Sequence, residues 1–164
     1  MSPGRCSSLD LLDPQFAARV HDLVTRANAN GLPLDIFETA RGPERQLALW
    51  QIGRGDPHAP GYGRTVTDAQ PYQSAHQFGL GTDLVFRVNG QWTWKEPQPG
   101  MWDHYRALAN APGTGLTTLF DKHGKPLEEP HVQVRGFDWR ALAPGPADDG
   151  SWYGWLRQRV TGIG

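Results

Sequence analysis

The stretch Ser74–Trp94 reads SAHQFGLGTDLVFRVNGQWTW. Its second half decides the local fold. Leu84, Phe86 and Val88 alternate, Asn89-Gly90 suits a type I′ turn, and Trp92 and Trp94 alternate on the return. The spacing predicts a β-hairpin. The first half is a loop with a histidine at one end and an aspartate at the other, where the strand begins. Gly79 and Gly81 lie between them and permit a tight return.

Outward from the hairpin, helices and short strands alternate. DPQFAARVHDLVTRANANG places Phe16, Val20, Leu23, Val24 and Ala27 at helical spacing. Asp13 is placed to cap that helix, Pro14 to enter its first turn and Gly31 to follow its end. LDIFETA predicts a short strand with Leu34, Ile36 and Glu38 on one face. A second helix is expected from Pro43, with its body over residues 46–52 and Gly53 and Gly55 after it. PGMWDHYRALANAP predicts a third, with Trp102, Tyr105, Leu108 and Ala109 on one face. Residues 113–136 are expected to hold one or two strands. HVQV puts Val132 and Val134 on one face, His131 and Gln133 on the other. SWYGWLRQRV predicts a short closing helix. Residues 54–73 are turn-rich, and a loop of that length in a compact domain is usually functional or mobile.

Bulk properties narrow the function classes. A chain of 164 residues fits one domain, taken here as 1–164. A formal charge of −1 without a Lys/Arg run argues against nucleic acid as a partner. No run of about 18 apolar residues suggests a membrane span. Cys6 is the sole cysteine, so an intrachain disulfide and a cysteine-based zinc ribbon are both excluded. Any metal site must use His, Asp and Glu. MSPGRCSSLDLLDPQ lacks the apolar core of a signal peptide, so synthesis in the cytoplasm is the expectation. A monomer is expected.

His76 and Asp83 are seven residues apart, with GLG preventing a continuous helix between them. A catalytic zinc site generally takes three protein ligands and leaves a position open for water. On the residues alone, His131 leads as the third, with Glu128 and Glu129 just before it. The plainer alternative is a loop histidine beside a turn-capping aspartate. His21, His58, His104 and His123 fit solvated positions better than ligands.

SAHQFGLGTD resembles the S-x-H-x-x-G-x-A-x-D motif of VanY-type zinc peptidases, which include D-alanyl-D-alanine carboxypeptidases and phage L-alanyl-D-glutamate endolysins. EEPHVQ resembles the second motif, an acid, two residues, then His. ETARGPERQLALWQIGRG resembles the segment with Arg, then Gln five residues on, and VTDAQPYQSAH resembles the approach in the phage enzymes. The pieces stand in family order over about residues 37–136. Gly81 replaces the more frequent Ala, Val132 replaces an aromatic, and GLTTLFDKHG stands where the phage enzymes carry Trp-Gly-Gly.

The resemblance implies a single α+β domain of the DD-peptidase type, with a small antiparallel sheet, flanking helices and one Zn2+ per chain. His76, Asp83 and His131 would be the metal ligands. Glu128 would be general base and acid. Strand alternation alone would favour Glu129, but Pro130 can bend the chain. Arg41 would hold a substrate carboxylate or polarise the scissile carbonyl, and Ser74 and Gln46 would support substrate or the groups behind the ligands. The implied partner is the peptidoglycan stem peptide. The expected reaction is hydrolysis at L-Ala-D-Glu, with a D-alanyl-D-alanine carboxypeptidase, a dipeptidase or a non-catalytic wall-binding module as alternatives. In the phage setting a holin would release the enzyme to the wall, and no separate wall-binding domain is evident.

Overall fold

The computed structural model describes residues 4–162, so residues 1–3 and 163–164 of the predicted 1–164 domain lie outside the described residues. In chain order the elements are α1 Pro14–Ala29, β1 Leu34–Glu38, α2 Pro43–Gln51, β2 Gly81–Val88, β3 Gln91–Thr93, α3 Met101–Asn110, β4 Leu116–Thr117, β5 His131–Val134 and α4 Asp149–Thr161. Three short 3-10 segments complete the list, at Leu9–Leu11, Ala75–Phe78 and Trp139–Ala141. This is the expected α+β domain with an antiparallel sheet. Among the described residues no helix is long and apolar enough to cross a membrane.

Local chemistry sets these elements. Asp13 accepts the backbone N–H groups of Gln15 and Phe16 at 3.0 and 3.1 Å, satisfying donors left free at the start of α1. Asn89 and Gly90 both adopt positive φ, 51° and 77°, as a type I′ turn demands. The hairpin register follows, with Val88 opposite Gln91 and Phe86 opposite Thr93.

The sheet runs β1-β2-β5-β4, with β3 also pairing on β2. One face packs on α1 and α3. Leu34, Leu84, Phe86, Leu116 and Val132 meet Phe16, Val20, Leu23, Trp102, Tyr105 and Ala109, all buried. Each large apolar side chain so buried contributes roughly 1.5–3 kcal/mol before entropic costs. The other face carries Asp83 and His131, direct register partners across β2 and β5. Val85 is also fully buried, so the middle of β2 is covered on both faces.

The pattern in β1 differs from expectation. Leu34 and Ile36 pair with Phe86 and Leu84, then the register shifts between Ile36 and Glu38, and Glu38 falls opposite Asp83. The extra residue is a β-bulge, which redirects the side chains after it. Glu38 therefore sits on the Asp83 face, opposite to Leu34 and Ile36. Trp92 and Trp94 are 39% and 50% exposed and meet Phe37 edge to face. They lie at the margin of the sheet, where no helix covers them. Val88 is likewise exposed, at the tip of the hairpin.

A second cluster, Leu11, Ala40, Trp152, Leu156 and Val160, docks the predicted closing helix. Trp152 Nε1 donates to the carbonyl of Gln77 at 3.1 Å, so α4 supports the 3-10 turn that carries His76. Gly79 ends that turn in the left-handed region, φ 69°. A Cβ there would stand 2.7 Å from Leu11 O. Gly79→Ala is expected to lose about 2 kcal/mol or more of unfolding free energy in urea titration, since the left-handed conformation alone costs about 1–2 kcal/mol for a residue with a Cβ.

Candidate metal centre and its cleft

Three elements bring the predicted ligands together. Ser74 caps the 3-10 turn, its Oγ accepting the His76 N–H at 3.4 Å and its own N–H donating to Gln77 Oε1. The turn delivers His76. β2 delivers Asp83 and β5 delivers His131. One donor atom from each of the three lies within 4.8 Å of the others.

The outer hydrogen bonds orient the two rings. His76 Nδ1 faces the carbonyl of Thr39 at 2.5 Å. A carbonyl only accepts, so Nδ1 carries the hydrogen and Nε2 presents its lone pair inward. His131 Nε2 donates to Gln133 Oε1 at 3.0 Å, which leaves Nδ1 facing inward. The inward atoms are close. His76 Nε2 and His131 Nδ1 are 3.1 and 3.2 Å from Asp83 Oδ1, and 3.2 Å from each other. Three buried lone pairs at that range repel unless a positive charge sits among them. A proton on His131 supplies one such charge. A divalent cation supplies another, and tetrahedral bonds of about 2.0–2.1 Å would require ligand separations of about 3.3 Å. The donor set, with an oxygen acceptor behind each imidazole N–H, fits zinc.

The titration behaviour follows from this packing. Burial, then the Arg41 charge, lower the His76 pKa against the pull of Asp83, favouring neutral imidazole. His131 is pushed down by burial, but its hydrogen bond to Asp83 and the charges of Asp83 and Glu128 raise it overall. Burial would raise Asp83, yet the neighbouring His76, Arg41 and His131 groups hold it well below the usual carboxylate range.

Arg41 lies directly behind the ligands. Its Nη2 donates to Asp83 Oδ2 at 2.6 Å and to Glu38 Oε2 at 2.6 Å. Its Nε donates to Glu38 Oε2 at 2.8 Å and its Nη1 to Gln46 Oε1 at 3.2 Å. Burial works against its charge, but Asp83 and Glu38 more than offset that, and its pKa is raised. Arg41 thus occupies Oδ2 of Asp83 and leaves Oδ1 to the inward cluster. Gln46 was expected to support substrate or the groups behind the ligands. It has no accessible surface, and its amide joins Arg41, Gln77 Nε2 at 3.3 Å and the carbonyl of Ala69 at 2.7 Å. Its place is behind Arg41, where it pins the 54–73 loop to the core.

Glu128 precedes β5, which starts only at His131, so strand alternation does not govern it. Its carboxyl is half-buried, while Glu129 is exposed. Burial, and secondarily Asp83, raise the Glu128 pKa against the lowering effect of His131 and Arg41. Three cavities meet at this residue, and two of them also reach Arg41. One of about 410 Å³ is lined by Phe37, Arg45, Val66, Trp94 and Asp83. The other, of about 220 Å³, is lined by Ser74, Gln73, His131, Gln133 and Trp139. Arg41, Thr67 and Glu128 belong to both. His21, His58, His104 and His123 are exposed and outside the cluster.

Glu38 is the residue that the sequence reading did not assign to the site. It is buried, and both carboxylate oxygens are occupied, Oε2 by Arg41 and Oε1 by Arg45 Nε at 2.5 Å. An ETAR stretch followed by a second arginine four residues on was the available signal, since a carboxylate in a strand needs cations to be buried.

No protein-family model matches the chain, and no curated protein does. Solved structures do. The LdcB LD-carboxypeptidase, described with the basis of its peptidoglycan recognition, aligns with a TM-score of 0.54 at 19% identity over 75% of this chain. The vancomycin-resistance D,D-dipeptidase VanXYg, solved with a D-Ala-D-Ala phosphinate analogue, aligns with a TM-score of 0.52 at 20% identity over 90% of this chain. The chain spans 58% of the length of each. At such identities the likeness establishes the fold.

Gly81 has its own structural reason. A Cβ there would stand 2.8 Å from Ala75 Cβ and 3.1 Å from His131 Cε1. Gly81→Ala is expected to displace His131 and weaken any divalent-metal affinity of the site about tenfold or more in competition with a chromophoric chelator, on the scale of a lost supporting contact. Asp83→Asn is expected to remove stoichiometric uptake of a divalent metal, checked by elemental analysis after loading.

Proposed function

We propose that this chain is a zinc-dependent peptidase of bacterial cell-wall stem peptides, with the L-alanyl-D-glutamate bond as its first-choice target. The observation that carries the reading is the convergence of three oriented, buried lone pairs beside an unpaired, half-buried carboxyl at the floor of a cleft. Bound at His76, Asp83 and His131, zinc would supply Lewis acidity and bring the pKa of a coordinated water to about 7.

The chain's own residues do the rest. His76 and His131 are held in the ligating tautomer by Thr39 O and Gln133 Oε1. Arg41 fixes Asp83 and, being raised in pKa, keeps a positive charge beside the cleft for the carbonyl oxygen as it gains negative charge. The Glu128 carboxylate takes a proton from the attacking water and returns it to the leaving nitrogen. Its upward shift brings it nearer the working pH of such a base. Ser74 acts through His76 and lines the smaller cavity.

Cavities on both sides of Arg41 and Glu128 favour a substrate that continues past the cut in both directions. The activities in the names of the two aligned structures favour the second reading, release of a C-terminal D-residue. Mass spectrometry of muropeptides after digestion decides between them. New L-alanine C-termini support the endopeptidase, free D-alanine supports the carboxypeptidase, and no new ends with wall binding intact would leave a binding module.

Glu128→Gln is expected to keep zinc and lower kcat by about 10²–10⁴, the usual worth of a general base. Glu129→Gln should stay near the native rate. Because a base works deprotonated, native kcat/KM should fall as pH drops through a Glu128 pKa above the ordinary carboxylate range. Normal rates in Glu128→Gln would remove this residue from the role.

A further inference from the structure

The larger cavity holds a cation that the proposed chemistry does not use. Arg45 stands four residues after Arg41, in the first turn of α2, and its side chain is 22% exposed. Its Nε is tied to Glu38 Oε1. Arg41, held by the same carboxylate, spends four of its five N–H donors on Glu38, Asp83 and Gln46. The two Nη groups of Arg45 have no hydrogen-bond partner among the described residues, and Arg45 lines the cleft. A buried carboxylate therefore fixes two guanidinium groups and directs them differently, one to the metal ligand and one to the cavity.

Resting on the peptidase reading, we propose that Arg45 is the carboxylate-binding residue of the larger subsite. Its two Nη groups pair with both oxygens of a free carboxylate on the peptide. A planar guanidinium suits that geometry in a way an ammonium does not. Glu38 already restricts the side chain, so less freedom is lost on binding. Phe37, Leu49, Val66 and Trp94 supply apolar wall around it, which limits solvent screening and covers the carbon skeleton beside the carboxylate. A divalent ion at the nearby ligands leaves the cleft net cationic, which also favours an anionic substrate.

A stem peptide offers such a carboxylate in two places, at its C-terminus or on a γ-linked glutamate within the chain. Two probe pairs separate them, with zinc-loaded protein and binding read by calorimetry. One pair is acetyl-D-alanyl-D-alanine and its C-terminal amide. The other is acetyl-L-alanyl-γ-D-glutamyl-L-lysine amide and its isoglutamine form. The expected result is roughly tenfold tighter binding of the acid in one pair, the scale of one charge-assisted pair of hydrogen bonds. In Arg45→Gln that preference should fall to near unity with zinc content unchanged, and KM should rise more than kcat falls. If Arg45→Gln fails to fold, Arg45→Lys keeps a charge beside Glu38 and should still lose most of the preference. Equal binding of acid and amide in both pairs, or a preference that survives these substitutions, overturns the proposal. Hydrolysis of wall peptides without acid preference removes the subsite alone. Acid preference without hydrolysis removes the peptidase reading alone.

Discussion

The site depends on a buried chain of charge, Glu38–Arg41–Asp83. Two carboxylates and one guanidinium sit at the sheet face with little water to screen them. Burying any one of them alone would cost several kcal/mol, and together they compensate through short, charge-assisted hydrogen bonds. The chain does geometric work as well. It fixes which oxygen of Asp83 faces the histidines, and through Gln46 it anchors a long loop that walls the cleft. Without the bulge in β1, Glu38 would not fall opposite Asp83 and the chain could not form.

The same network divides labour between inner and outer atoms. Backbone carbonyls and amide side chains hold the outer edges of the two imidazoles, so their inward edges are free to bind an ion. Asp83 is kept ionised by cationic and hydrogen-bonding neighbours. Glu128 lies in the opposite regime, where burial discourages its charge. Two carboxyl groups in one cleft are thus pushed apart in proton affinity, one suited to holding an ion and the other to moving a proton.

Much of this was legible in the sequence. The hairpin, α1 and α3 followed from periodicity and from turn and cap residues, because each is set by local chemistry. The inward triad His76, Asp83 and His131 was legible through the resemblance to VanY-type motifs, since the residues alone left a loop histidine beside a turn-capping aspartate as an alternative, and the structure brings the three together. Glu38 was not, because its role needs a one-residue bulge that no local signal at Phe37 announces. For Gln46 the choice between touching substrate and supporting the ligands from behind stayed open, because sequence order shows proximity to Arg41 but not depth. The exposure of Trp92 and Trp94 depends on where the sheet ends, a tertiary fact. Val85 escaped notice because alternation describes a strand with one wet face, and β2 has none at its centre.

The ligand spacing has a consequence in time. His76 and Asp83 are seven residues apart and meet through one turn and one strand. His131 is 48 residues beyond Asp83 and arrives only after the hairpin, α3 and β4 have been laid down. A growing or refolding chain therefore has two ligands early and a third late, and a two-ligand site holds an ion weakly. Because the third ligand is a strand residue paired directly with Asp83, closing the sheet and completing the ion's cage are one event. Any strong hold on a metal ion at this site would thus come only when the chain has nearly finished folding.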